Sequence, residues 1–214
     1  MSGKARLRNA TAIDIDRRIR NAGDHLGGLV AHEKLVADAC ECDDAETDLE
    51  ERRKFERDLS AFYAAARTAR NYLIQKSNEF GCRAWLDGRL AREVFAFHGA
   101  VADQDLHDHP ATVVKTYDVK GSAVVDVVRL VDGALPTLIP RIGPPLKYTG
   151  MRLTYVEADL EPAARAAHDA IKSGPRGVRG AIELAGEYIE GLRDIVRDAD
   201  RQRLFEAATS DPAS

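Results

Sequence analysis

Cysteine, lysine and long apolar runs are all scarce in this chain, and each scarcity removes a class of protein. Three cysteines, Cys40, Cys42 and Cys82, are too few and too oddly numbered for a disulfide framework, which agrees with a reducing compartment. No run approaches the roughly eighteen apolar residues that span a bilayer, and the opening MSGKARLRNA has no apolar signal core. The expectation is therefore a cytoplasmic protein with no membrane segment. Eight lysines stand against twenty-three arginines, and the formal net charge is -4. That balance argues against a surface that clings everywhere to nucleic acid by counterion release. Charge is nevertheless uneven, because residues 4–20 carry six basic and two acidic side chains.

What is present is ordinary globular material: 214 residues, 44% hydrophobic and 31% charged, without an internal repeat. The chain is long enough to bury a core of its own. Ile15, Ile19, Ala22, Leu26, Leu29 and Val36 recur at three- and four-residue steps and predict a helix over 12–39, with Thr11 as N-cap. Gly23, Gly27 and Gly28 imply either a kink or a second helix packed against a face without side chains. A stronger helical pattern covers 45–79, with Leu49, Phe55, Leu59, Phe62, Ala66, Ala69 and Leu73 on one face and Asp43 or Asp44 before it as a cap. Gly81 reads as a stop, Trp85 as a core anchor, and Leu90, Val94, Phe97 and Val101 as one further helix ending by Pro110.

After Pro110 the period changes from 3.6 to 2. TVVKTYDVKGSAVVDVVRLVDG predicts a hairpin turning at Lys120-Gly121-Ser122, and a further strand is expected near 147–156, after the turn IGPP. Pro140 consigns its own segment to an edge or a loop. Helix returns with Pro162 at its first turn and Gly174 at its end. A last helix follows in which Ile182, Ala185, Ile189, Leu192, Val196 and Ala199 form a seam for the bundle or for another subunit. The expected fold class is α+β: one domain over 1–214, a helical bundle formed by 12–109 and 178–206, with a small antiparallel sheet inserted at 111–157.

Chemistry-bearing residues concentrate in FHGAVADQDLHDHP, residues 97–110. Asp103 and His107 stand at i and i+4, so a carboxylate and an imidazole share one helix face and are available for acid-base work. The competing reading is a polar helix end where histidine is favoured by the dipole. His98, His107, His109, Asp105 and Asp108, or Cys40 and Cys42, are metal-ligand types, but no spacing matches a zinc finger or a His-Glu-x-x-His helix. No metal and no cofactor are expected. PRGVRG with Lys172 sets basic side chains and glycines before a helix, which suits either a phosphate or a plain connector. Arg67, Arg70 and Asn71 form a polar strip opposite the apolar face of their helix, by default a solvated one.

The order of these features resembles the HEPN superfamily. An Ala- and Arg-rich helix (SAFYAAARTARNYL) is followed by Trp85, by a helix bearing Arg92 and His98, and by a final bundle helix (EYIEGLRDIV). The resemblance covers about 45–110 and 178–200 and leaves the sheet as an insertion. It implies a protein of defence, toxin or phage-conflict type, a metal-independent endoribonuclease acting as a homodimer on RNA, whose signature is an Arg, four to six intervening residues, then His. In one alignment Arg92 and His98 are that pair, although Glu93 follows the arginine where the family has Asn, Asp or His. In the other, His107 is the family histidine and Asp103 the polar residue, which puts Ala102 where the arginine belongs. Arg92, His98, Asp103 and His107 are thus the candidate catalytic residues. The live chemistry would be 2′-hydroxyl attack on the adjacent phosphate, with His moving the proton and Arg stabilising the phosphorane. Arg67 and Arg70 would line the RNA groove. The alternative is a non-catalytic bundle that binds a protein partner or a second copy through a degenerate site.

Overall fold

The computed structural model describes residues 9–42, 44–107, 110–120, 128–131 and 147–206. Helix α1 (Ala10–Glu41) and helix α2 (Ala45–Glu79) form a long antiparallel pair, followed by α3 (Arg83–Leu90) and α4 (Glu93–Leu106). Three strands come next: β1 (Val113–Lys120), β2 (Val128–Val131) and β3 (Lys147–Tyr155). A 3-10 turn at Glu157–Asp159 leads to α5 (Pro162–Lys172) and α6 (Ala181–Arg201). The fold is α+β and mainly helical, with a small antiparallel sheet between the fourth and fifth helices.

Local chemistry explains the ends. The Asn9 side chain, not that of Thr11, caps α1 by accepting the Thr11 N–H at 2.7 Å. Asp44 does the same for α2 through the Thr47 N–H at 3.1 Å, satisfying donors that have no intrahelical partner. Gly81, at φ +68°, turns the chain after α2, a conformation that costs a side-chain-bearing residue more than glycine. The three glycines do not end α1, which runs unbroken for 32 residues. Gly28 is where α2 comes close: a Cβ there would lie 2.5 Å from Asp58 Oδ2.

Three sequence expectations change at this level. The segment through Leu90 and Val101 is two helices, because the chain leaves helical geometry at Arg92, whose ψ is 145°. Trp85 is only partly buried, with Arg89 over its ring at 5.6 Å, while its neighbour Leu86 is sealed in the core. Leu49, assigned to the apolar face of α2, is 45% exposed, while the polar Asp48 and Glu51 beside it face β1 and α1 through Lys115 and His32.

Strand order is β2-β1-β3, all antiparallel. Pairing of β1 with β2 agrees with the expected hairpin, but Lys120 belongs to β1 and Val119 faces Val128, so the connection is longer than a turn at Lys120-Gly121-Ser122; Gly121, Ser122 and Pro140 lie outside the described residues. The sheet docks on the bundle. Glu33 of α1 accepts the Leu153 N–H at 2.7 Å, and burial raises the Glu33 pKa despite that bond. Lys115 of β1 pairs with Asp48 of α2 at 2.9 Å, both nearly sealed from water. The side chains of Leu153, Tyr155 and Val113 join the same core as the helices.

Helix α6 closes the bundle. The expected seam is buried in this chain, and Leu184, Tyr188 and Ile195 widen it into a broad face against α1 and α4. The Glu183 carboxylate accepts the Gly180 N–H at 2.6 Å and fixes its start. Phe95 of α4 lies flush on Gly191, where an added Cβ would come 2.7 Å from the ring. Gly191→Ala is expected to lower stability by about 1–3 kcal/mol through overpacking. In urea denaturation the midpoint falls with an unchanged slope; an unchanged midpoint would contradict this ring-to-backbone contact.

Candidate functional site

His98 sits in the middle of α4 with its ring sealed, at 2% exposure. Phe62 and Tyr63 of α2, Phe97 of α4 and Tyr188 of α6 surround it, with ring centroids 5.8, 5.8, 5.3 and 4.7 Å away. Neither ring nitrogen is placed with hydrogen-bond geometry toward any described residue. Desolvation pushes its pKa down to about 4, and the Leu184 backbone and the Glu187 carboxylate offset only part of that. The imidazole is therefore neutral near physiological pH and has no path to a phosphate in solvent.

Arg92 is elsewhere. Six residues turn a helix by about 600°, which leaves the two side chains about 120° apart around the axis. Arg92 is exposed at the first residue before α4, its guanidinium 5.6 Å from the Phe95 ring centroid. The pairing of Arg92 with His98 is accordingly not assembled within this chain, and His98 takes a structural place in the core. The sequence signal for this was the apolar run around it, Val94, Phe95, Phe97 and Val101, which are all buried.

The second set of candidates is on the surface. The Asp103 side chain is 64% exposed, and Arg67 of α2 reaches it at 3.5 Å. His107 ends α4 one turn further on and is exposed. Ala102 points inward at 6% exposure, so no side chain at that position could reach the Asp103 face. Arg70 packs on Gly99, where a Cβ would lie 3.3 Å from Nη1. Ser60 of α2 donates to Asp105 at 2.8 Å. Polar residues of α2 and α4 thus meet along one seam, in which a guanidinium from α2 stands near the Asp103 carboxylate, one helical turn before His107. His109 and Asp108 lie outside the described residues.

Gln104, which the sequence reading passed over, positions this end of α4. It is buried, donates to the Asp159 carbonyl at 2.6 Å and accepts the Glu161 N–H at 3.0 Å. Its backbone carbonyl accepts the His107 N–H at 3.0 Å. His168 was also missed. It is a second sealed histidine, its ring centroid 5.5 Å from that of Phe97, and burial lowers its pKa too. Among the described residues no three His, Cys, Asp or Glu side chains converge as metal ligands. Cys42 is exposed and Cys40 half-buried.

No family model matches the chain, and no curated protein or solved structure resembles it to a significant degree.

The buried histidine carries a pH dependence. An unfolded His98 titrates near 6.5 and the folded one at about 4, so the unfolded state binds the extra proton between these values. Stability is full above about pH 6.5 and declines as pH falls toward 4. The upper bound is about 3 kcal/mol, from 2.5 units at about 1.4 kcal/mol each. His98→Phe is expected to flatten that decline in urea titrations at stepped pH; an unaltered slope would assign the acid sensitivity to other groups.

Proposed function

We propose that the protein is a HEPN-like bundle whose cleavage centre is degenerate and which acts by binding RNA without cutting it. The observation that carries this reading is the fate of the two arginine-histidine arrangements. His98 is locked neutral among aromatic rings while Arg92 leaves the helix on another face. At the other position Ala102 is turned into the core. A general base must reach the proton that it abstracts, and a phosphorane needs a cation beside it.

Binding makes smaller demands. The α2–α4 seam offers Arg67 at Asp103, Arg70 at Gly99 and His107 at the end of α4. Across the α2 ridge, a groove lined by Arg17, Arg18, Asn21, His25 and the small residues Ala61, Ala64, Ala65 and Thr68 gives a strand room against a basic wall. Asp103 and Asp105 on the same side restrain the positive charge, which fits modest, salt-sensitive affinity.

A second reading, metal-independent cleavage, has one observation in its favour. Arg67 supplies from α2 a guanidinium near Asp103 and one turn from His107, where α4 itself has Ala102. One experiment separates the two. Labelled single-stranded RNA is incubated in EDTA with wild type, Arg67→Ala and His107→Ala, and followed by both retardation and fragment analysis. Retardation of intact RNA, weakened several-fold by Arg67→Ala, supports binding alone. Cleavage that His107→Ala abolishes would overturn it in favour of the nuclease, and neither retardation nor cleavage would overturn both.

A further inference from the structure

Arg92 lines a cleft away from the α2–α4 seam. The cleft, about 230 Å³, is bounded by the first turn of α4, the last turn of α5, the loop from Gly174 to Arg179 and Glu187 of α6. Three guanidiniums border it: Arg92, Arg176 and Arg179. Glu187 holds two of them, with Arg176 bidentate at 2.6 and 3.0 Å and Arg179 on Oε2. Among the described residues, Arg92 has no carboxylate partner and Arg179 Nε is buried without a hydrogen-bond partner. With Glu93 counted as well, three cations face two anions, so one net positive charge is unneutralised in a half-enclosed site. Glu187 therefore sets the fork of Arg176 and Arg179 in place and leaves donors over.

The walls reinforce that charge. The amides of Glu93 and Val94 belong to a helix start that no side chain caps, and such N–H groups favour an anion. The opposing end of α5 weakens that preference only in part, because two of its last four carbonyls, those of Asp169 and Ile171, already accept hydrogen bonds. The Ser173 N–H bonds to Asp169, that of Gly174 to Ile171 and that of Gly177 to Gly174. Arg92 also borders the next cleft along α6, with Arg89, Arg197 and Arg201 against Asp194 and Asp198. Positive charge therefore continues beyond the first cleft, leaving space for whatever the anion is attached to.

We propose that this cleft binds a phosphate group, held by the planar donors of Arg92, Arg176 and Arg179. Arginine forks match phosphate oxygens in pairs, and the cleft has room for a phosphate and part of its substituent. The phosphate could come from a free mononucleotide or from the 5′ end of an RNA strand, and the chemistry of capture is the same. The site is independent of Arg67, so it stands or falls apart from the RNA-binding reading of the seam.

The test is calorimetric titration of the full chain at constant ionic strength with orthophosphate, adenosine 5′-monophosphate, adenosine, and a short single-stranded RNA bearing a 5′-phosphate or a 5′-hydroxyl. Saturable binding of the phosphate-bearing probes, absent for adenosine, is expected. Arg92→Ala and Arg176→Ala, both at exposed positions, should each weaken it about tenfold, the equivalent of one charge-assisted bond, while Arg67→Ala leaves it unchanged. Preference for the mononucleotide identifies a free ligand, and preference for the 5′-phosphorylated strand over the 5′-hydroxyl strand identifies an RNA end. No saturable binding beyond a chloride control, or binding that Arg92→Ala leaves intact, would overturn the proposal.

Discussion

The packing of α6 onto α4 through a bare glycine is the contact on which the rest of the molecule depends. Because Gly191 lets the Phe95 ring lie on the α6 backbone, Tyr188 comes edge-on to Phe95 at 5.3 Å and over His98 at 4.7 Å. Those rings, with Phe62 and Tyr63 from α2 and Tyr155 from the sheet, make a single aromatic centre. Aromatic pairs in this geometry contribute about 0.5–1.5 kcal/mol beyond their burial. The centre therefore joins helices, sheet and the closing helix, and places one imidazole where water does not reach.

That placement decides the chemistry. A histidine whose ring is desolvated is a poor base and an unreachable one. Two such histidines, His98 and His168, contact Phe97. The polar groups left for function lie outside this centre, in the α2–α4 seam and in the arginine-lined cleft beneath α6. Both are built from guanidiniums partly neutralised by carboxylates. Such sites suit selective contact with phosphate better than indiscriminate attraction to nucleic acid, in keeping with a net charge of -4.

Much of the fold was legible because hydrophobic period is a one-dimensional signal. The long helices, the change to a period of two after Pro110 and the stripe of the last helix all follow from spacing alone. What the sequence hid depended on contacts distant along the chain. The break at Arg92 is a single residue with extended backbone inside a periodic run. The burial of Trp85 was overestimated because its neighbour Leu86, and not its own larger ring, faces inward. At the site, i and i+4 spacing placed Asp103 and His107 on one face, but no spacing within α4 could foretell that Arg67 would reach Asp103 from α2. His98 misled for a related reason: most of the rings that bury it come from α2 and α6, and only its apolar neighbours along α4 marked the position as core.

The central claim, that His98 is a neutral member of the core and not a proton-transfer group, is tested most directly by following its imidazole carbon-bound proton resonances by NMR as a function of pH, assigned with His98→Phe. The account predicts no titration through neutrality and a midpoint at about 4, or acid unfolding before it is reached. A reversible midpoint near 6.5 in the folded protein would contradict it, since only a solvated imidazole titrates there.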